Sequence, residues 1–224
     1  MDVSGGRDPE GHDPEGRAPG DPDPRERAGY RRSTGSARGE ARRRELLDRV
    51  TKDVAVNGLV DFSLRRAARA AGTTHKVLLY YFDGVEDLLG QAIFQLREKR
   101  IDNALATSAE VPGRQTLAAW VRAVWPVLTG EASWVLDQAI GLAIYDPERY
   151  VDLGRGASKQ YLPALLSICP EHWSGRRKLE VAEMILAVLR GFLVDLRTSG
   201  DAEGIAAGFE ALVRALEREE ATPD

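Results

Sequence analysis

The sequence predicts an all-α protein of about nine helices, and three observations carry that prediction. Apolar residues recur at three- and four-residue spacing from Leu46 to Leu216, the period of a helix with one buried face. No segment alternates apolar and polar residues as a half-buried strand does. Helix-stopping pairs then cut the pattern into lengths: Asn57-Gly58, Asp83-Gly84, Pro112-Gly113, Asp146-Pro147 and Ser199-Gly200. A chain of 224 residues can bury a substantial core, as one large domain or two small ones.

The elements follow in order. Residues 1–29 repeat Asp-Pro-Glu-Gly at 8–11 and 13–16 and add Asp-Pro-Asp-Pro at 21–24. Such residues build no buried face, so an acidic, disordered tail is expected. Residues 30–38 form a basic arm that runs into the first helix, about 39–56, with Leu46, Leu47, Val50 and Val54 on one stripe. Asn57-Gly58 stops it, since both residues tolerate the left-handed conformation that closes a helix. Ser63 caps a second helix, 64–70, and Gly72 breaks it. Thr74 opens a third, about 74–81, and a long fourth runs from about 85 to 105, burying Leu88, Leu89, Ala92, Ile93 and Leu96. Five more periodic segments occupy 114–129, 133–145, 148–168, 176–198 and 202–219, with a kink expected at Pro126.

Charge is unevenly spread. The chain carries −4 overall, yet residues 31–82 hold 12 basic against 5 acidic groups. One basic block thus lies between acidic ones, and phosphate binding requires a basic surface rather than a basic chain. Inside that block Ala68, Gly72 and Leu78 have the spacing of a helix-turn-helix. The small Ala68 lets two helices approach, Gly72 makes the turn, and Leu78 packs back between them. The third helix would then expose Thr74, His75, Lys76 and Tyr80, whose N-terminal members reach base edges in a major groove. Arg65 and Arg66 on the helix before are placed for phosphate or a guanine edge. The full set of expected DNA contacts is Arg42, Arg43, Arg44, Ser63, Arg65, Arg66, Thr74, His75, Lys76, Tyr80 and Tyr81. A surface hairpin with solvated arginines is the plainer reading of the same 20 residues.

The stretch around this turn resembles the TetR family of transcriptional regulators. Ala67-Ala68-Arg69-Ala70-Ala71-Gly72-Thr73-Thr74 stands at the family's Ile-Ala-x-x-Ala-Gly-Val-Ser. Leu78-Leu79-Tyr80-Tyr81-Phe82 stands at its Leu-Tyr-x-His-Phe, and Val85-Glu86-Asp87-Leu88-Leu89 at its Lys-x-x-Leu-Leu. The match covers about residues 40–95. Leu79, Tyr81 and Val85 depart from it, and each removes or alters an anchor for the DNA backbone. The resemblance implies a helix-turn-helix DNA-binding domain at 39–84 and a larger helical ligand-binding and dimerisation domain at 85–224. It also implies a homodimer that binds a palindromic operator as a repressor and is released by a small effector. The alternative is an all-α dimer of the same architecture that binds ligands or acts as a scaffold, with weakened DNA binding.

Two further sets of residues carry the regulatory expectations. Phe94, Trp120, Trp125, Trp134, Tyr145 and Tyr161 are candidates to line an apolar ligand cavity, against ordinary core packing for any single one. Few charges fall on 117–145, only Arg122, Glu131 and Asp137, which favours an apolar or aromatic effector. The wide apolar stripes of the last two helices supply the candidate dimer contacts Met184, Val188, Phe192, Leu196, Phe209, Leu212 and Leu216, as the family's paired C-terminal helices imply.

Other classes are disfavoured. No apolar run approaches the roughly 20 residues that cross a membrane, and the N-terminus has no apolar signal-peptide core. One cysteine, Cys169, excludes an intramolecular disulfide framework, so a cytoplasmic location is expected. Cys169 and His172 are three apart but lack a full ligand set, so no metal and no cofactor is expected. With no phosphate-binding loop after a strand, an enzyme is not expected.

Overall fold

A computed structural model describes residues 36–109, 116–130 and 133–223. The acidic tail at 1–29, most of the basic arm, Pro112-Gly113 and Glu131 lie outside the described residues. Among those described there are nine helices and no strand. They are α1 (Ala37–Asn57), α2 (Leu64–Ala71), α3 (His75–Tyr81), α4 (Val85–Ala109), α5 (Leu117–Thr129), α6 (Trp134–Tyr145), α7 (Pro147–Ile168), α8 (Gly175–Thr198) and α9 (Ala202–Ala221).

The chain falls into two units, residues 1–41 and 42–224. In the first, Ser36 begins a helix: its Oγ accepts from the Gly39 N–H at 3.0 Å and its carbonyl from Glu40 at 2.9 Å.

The second unit has two apolar cores. One gathers Leu46, Val50 and Val54 of α1, Ala67 and Ala71 of α2, Leu78 of α3, and Leu88 and Ile93 of α4. Val135 and Ala139 of α6 and Leu153 of α7 close it. The other joins Leu117, Val121 and Val124 of α5 to Ile185 and Leu189 of α8 and to Phe209, Val213 and Leu216 of α9. Each fully buried Leu or Ile contributes about 1.5–3 kcal/mol relative to an exposed one. Helix α4 reaches both cores, through Ile93 near its start and Ala104 near its end. Helices α5 and α7 continue through Pro126 and Pro163.

Side chains cap the starts of several helices, Ser63 as the sequence suggests. Ser63, Thr116, Asp146, Ser174 and Asp201 each accept from the N–H three residues on, which satisfies a donor that the helix leaves unpaired. Gly72 closes α2 at φ +64°, and its N–H and that of Thr73 return to carbonyls of the last turn. That left-handed geometry favours glycine.

Candidate nucleic-acid interface and effector cavity

The helix-turn-helix is built as its spacing predicts. Ala67 and Ala71 are fully buried and Ala68 nearly so, while Leu78 packs into the same core. The Thr74 Oγ1 caps α3 by accepting from the Val77 N–H. Arg49 Nη1 donates to the Ala71 carbonyl at 3.1 Å, where a cation also suits the negative end of α2. The turn is therefore fixed at both helix ends.

The arginines of the basic block divide sharply. Arg66 lies inward: Nε donates to Asp53 Oδ2 at 2.8 Å, Nη1 to the Val60 carbonyl at 2.9 Å and Nη2 to the Gly58 carbonyl at 2.8 Å. Its guanidinium also lies over the Phe62 ring. It holds the α1–α2 loop, so its guanidinium is engaged within the chain. Arg43 is likewise committed, donating to the Tyr81 carbonyl and to Gln91, with its guanidinium over Phe82. Arg42 pairs with Glu45 at 2.6 Å on the surface. Arg44 and Arg65 are exposed, as are Thr74, His75 and Lys76 along the start of α3. Ser63 spends its hydroxyl as the cap of α2. Tyr80 is half-buried with its ring edge-on to Tyr81 at 4.7 Å. Exposed Arg69, one turn after Arg65 on α2, extends the candidate surface; its i+4 spacing was the signal.

Two features weaken this surface as a phosphate binder. Leu79 is 49% exposed on α3, an apolar side chain at a position facing solvent. The first turn of α4 carries Glu86 and Asp87, which repel phosphate. Glu86 is paired with Arg149 at 2.7 Å, and Asp87 accepts from the Asp83 N–H and from Gln91.

The six candidate cavity aromatics separate. Trp120 and Tyr161 do line a cavity of about 80 Å³ between α4, α5, α6, α7 and α8. The other four are not among the residues that line it. Trp125 stacks on Phe209 at 4.8 Å and meets Phe192 edge-on, so it belongs to the second core. Trp134 lies so close to Gly58 that a Cβ there would meet its ring at 2.4 Å. Phe94 and Tyr145 are 46% and 86% exposed and point away from any core. Apolar side chains make up most of the cavity wall, but Arg97 and Arg100 of α4 and Arg190 of α8 also line it. Counting charges on 117–145 missed them because they come from other helices.

Helix α6 touches both places. Leu136 and Ile140 line the cavity, while Gln138 Oε1 accepts from the Leu59 N–H at 2.8 Å and Trp134 covers Gly58. The loop that Arg66 holds from one side is thus held by α6 from the other.

The candidate dimer residues also divide. Met184, Val188, Phe192 and Leu196 are exposed or half-buried on α8. Phe209, Leu212 and Leu216 are buried within the chain, in the core that α5 and α8 share. Helix α9 turns Ala206, Ala207 and Ala211 outward instead. Cys169 is buried at the end of α7, its thiol donating to the Leu165 carbonyl. Burial pushes its pKa up, which keeps it a thiol.

Solved structures share this fold. A protein from Streptomyces coelicolor A3(2), described as a transcriptional regulator, is 22% identical, with TM-score 0.59 over 77% of this chain and 96% of its own. A Rhodococcus protein described as a TetR-family transcriptional regulator is 15% identical, with TM-score 0.54 over 79% and 98%. FadR from Bacillus subtilis, solved in complex with stearoyl-CoA, is 17% identical, with TM-score 0.55 over 77% and 96%. The chain therefore has the fold of TetR-family transcriptional regulators. No family sequence profile matches it, and no curated protein sequence does.

Proposed function

We propose that the chain is a ligand-responsive DNA-binding transcriptional regulator of the TetR type, acting as a homodimeric repressor on a palindromic operator in the cytoplasm. Residues 39–84 serve as the DNA reader and residues 85–224 as the effector-binding and dimerisation part. The observation that carries the reading is the built helix-turn-helix, with Arg65, Thr74, His75 and Lys76 exposed together on its reader side. No helix among the described residues is long and apolar enough to cross a membrane. The stearoyl-CoA held by FadR supports the view that this fold can carry a small-molecule site.

Release follows from the position of α6. A ligand between α4 and α8 presses on Leu136 and Ile140, and the same helix holds Gly58 and Leu59 through Trp134 and Gln138. Ligand shifts the reader only to the extent that it binds the DNA-competent and incompetent states with different affinity. Mobility-shift titration on the promoter beside its own gene tests the reading. Specific binding should fall roughly 5- to 150-fold in Arg65→Ala and in Lys76→Ala, in line with about 1–3 kcal/mol per base contact. An absence of sequence preference at every salt concentration would instead favour the ligand-binding or scaffolding alternative, to which exposed Leu79 and the acidic start of α4 lend support.

The dimer contact is assigned to the outward strip of α8, Met184, Ala187, Val188, Gly191 and Val194, with Ala206, Ala207 and Ala211 of α9. Val188→Glu should turn a dimer near 49 kDa, twice the 24.6 kDa chain, into a monomer in sedimentation. A parent protein that sediments as a monomer at micromolar concentration overturns the assignment.

A further inference from the structure

The cavity between α4 and α8 carries a charge its walls do not balance. Arg97 and Arg100 are only 5% and 8% exposed, and Arg190 is half-buried beside them. An arginine stays protonated in a protein, and a buried charge is costly unless paired and hydrogen-bonded. Yet none of the three forms an ion pair with a carboxylate among the described residues. Arg97 donates to the Leu153 carbonyl, Arg100 to the Leu128 carbonyl at 3.3 Å and Arg190 to Ser158 Oγ at 3.2 Å; all three acceptors are neutral. The remaining donors are left over. Arg100 Nε, Arg190 Nη2 and Trp120 Nε1 are buried without a hydrogen-bond partner, and all three belong to residues that line the cavity.

Asp137 accepts from Arg197 through Oδ2 and keeps Oδ1 buried without a partner. Burial pushes its pKa up, and Arg197 and Arg100 pull it back down, so it offsets part of the Arg100 charge without pairing with it. Glu183 is exposed. Burial pushes the pKa of Arg97 and of Arg190 down; the Tyr161 hydroxyl opposes this for both and Glu183 for Arg190. Neighbouring guanidiniums add to the downward push: Arg190 and Arg100 on Arg97, and Arg100 on Arg190. Like charges therefore converge on one apolar void. The rest of the wall, including Ile101, Leu136, Ile140, Leu165 and Leu189, offers nothing to an anion but fits a hydrocarbon body.

We infer that the effector is a compact organic carboxylate, its carboxylate held by Arg97, Arg100 and Arg190 and its apolar body by the walls of α5, α6 and α8. The inference rests on the reading of this cavity as the effector site. The size follows from the void: about 80 Å³, where one water needs roughly 10–15 Å³ by the same measure, holds a short-chain or single-ring acid. A planar guanidinium fork suits a carboxylate, which can accept two parallel hydrogen bonds from it. The anion would supply the missing acceptor for the orphaned donors, which a neutral analogue cannot do.

The test is calorimetric titration of the full-length protein, free of DNA, with hexanoate and phenylacetate against their neutral partners 1-hexanol and 2-phenylethanol. At least one acid should bind tenfold or more tightly than its alcohol. Arg100→Met and Arg190→Met should each erase most of that preference, leave alcohol binding within about twofold, and melt no lower than the parent, since each removes an unpaired buried charge. Equal affinity for acid and alcohol in the parent overturns the inference whatever the variants do. Hexanoyl-CoA that displaces the acids and binds more tightly than hexanoate also overturns it, because the anionic head then lies outside the cavity. Acids that bind with selectivity but leave operator binding unchanged sustain a carboxylate site in this cavity and overturn its role as the effector site. Release from the operator by the alcohols alone does the reverse.

Discussion

Arg66→Ala should cost about 2–4 kcal/mol of stability, whereas Arg65→Ala, its neighbour in sequence, should cost less than about 0.5 kcal/mol. Arg66 is tied to the Asp53 carboxylate and to the Val60 and Gly58 carbonyls, with side-chain exposures of 15% and 19% across the ion pair. Its removal leaves Asp53 half-buried without its partner and frees the loop in which Asp61 already sits at φ +56°. Water can reach part of this site, so the cost falls short of that of a fully buried pair. A loss of that size lowers the melting temperature by roughly 5–15 °C in a chain of this length. Arg66→Lys should recover only part, since one ammonium cannot serve three acceptors spread over a fork. The double variant Asp53→Leu with Arg66→Met should be less destabilised than the sum of its parts. Melting curves of these variants, with Asp53→Leu and Arg66→Met also taken singly, decide it; equal, small losses at positions 65 and 66 would show that the loop does not depend on Arg66.

The contrast marks where the sequence was legible. Periodicity and helix stops placed α2, α3 and α6 to within a residue or so, because each is bounded by a side-chain cap, a turn residue or both. The helix-turn-helix was legible because Ala68, Gly72 and Leu78 are each demanded by close packing. Adjacent arginines were not: Arg65 and Arg66 differ only in which carbonyls the preceding loop brings near, and that is set by the left-handed turns at Gly58 and Asp61. Phe209, Leu212 and Leu216 show the same limit, since an apolar stripe looks alike whether its partner helix belongs to the same chain or to a copy. The cavity arginines left a signal that went unread. Arg97 and Arg100 continue the buried stripe of α4 between Ile93 and Ala104 at spacings of four, three and four, so they lie on the face that packs rather than the one that solvates.

The second large effect expected is a gain. Leu79→Tyr and Val85→Lys together should tighten operator binding by roughly 50-fold at 0.1 M salt, and the two parts should separate by their salt dependence. A lysine at 85 adds one neutralised phosphate, so log K against log salt should steepen by about 0.9, worth roughly eightfold at 0.1 M. The tyrosine adds a neutral hydroxyl donor to phosphate and releases no counterion; its several-fold gain should hold at all salt concentrations, and Leu79→Phe should lack it. The lysine has to act against Glu86 and Asp87 in the same turn. Asp87 is held by the Asp83 N–H and by Gln91, and Glu86 by Arg149, which dampens but does not cancel their field. Arg149→Ala should therefore blunt the gain from Val85→Lys by freeing the Glu86 carboxylate to face the DNA. If the slope stays unchanged in Val85→Lys and Leu79→Tyr behaves as Leu79→Phe, neither position faces the DNA backbone.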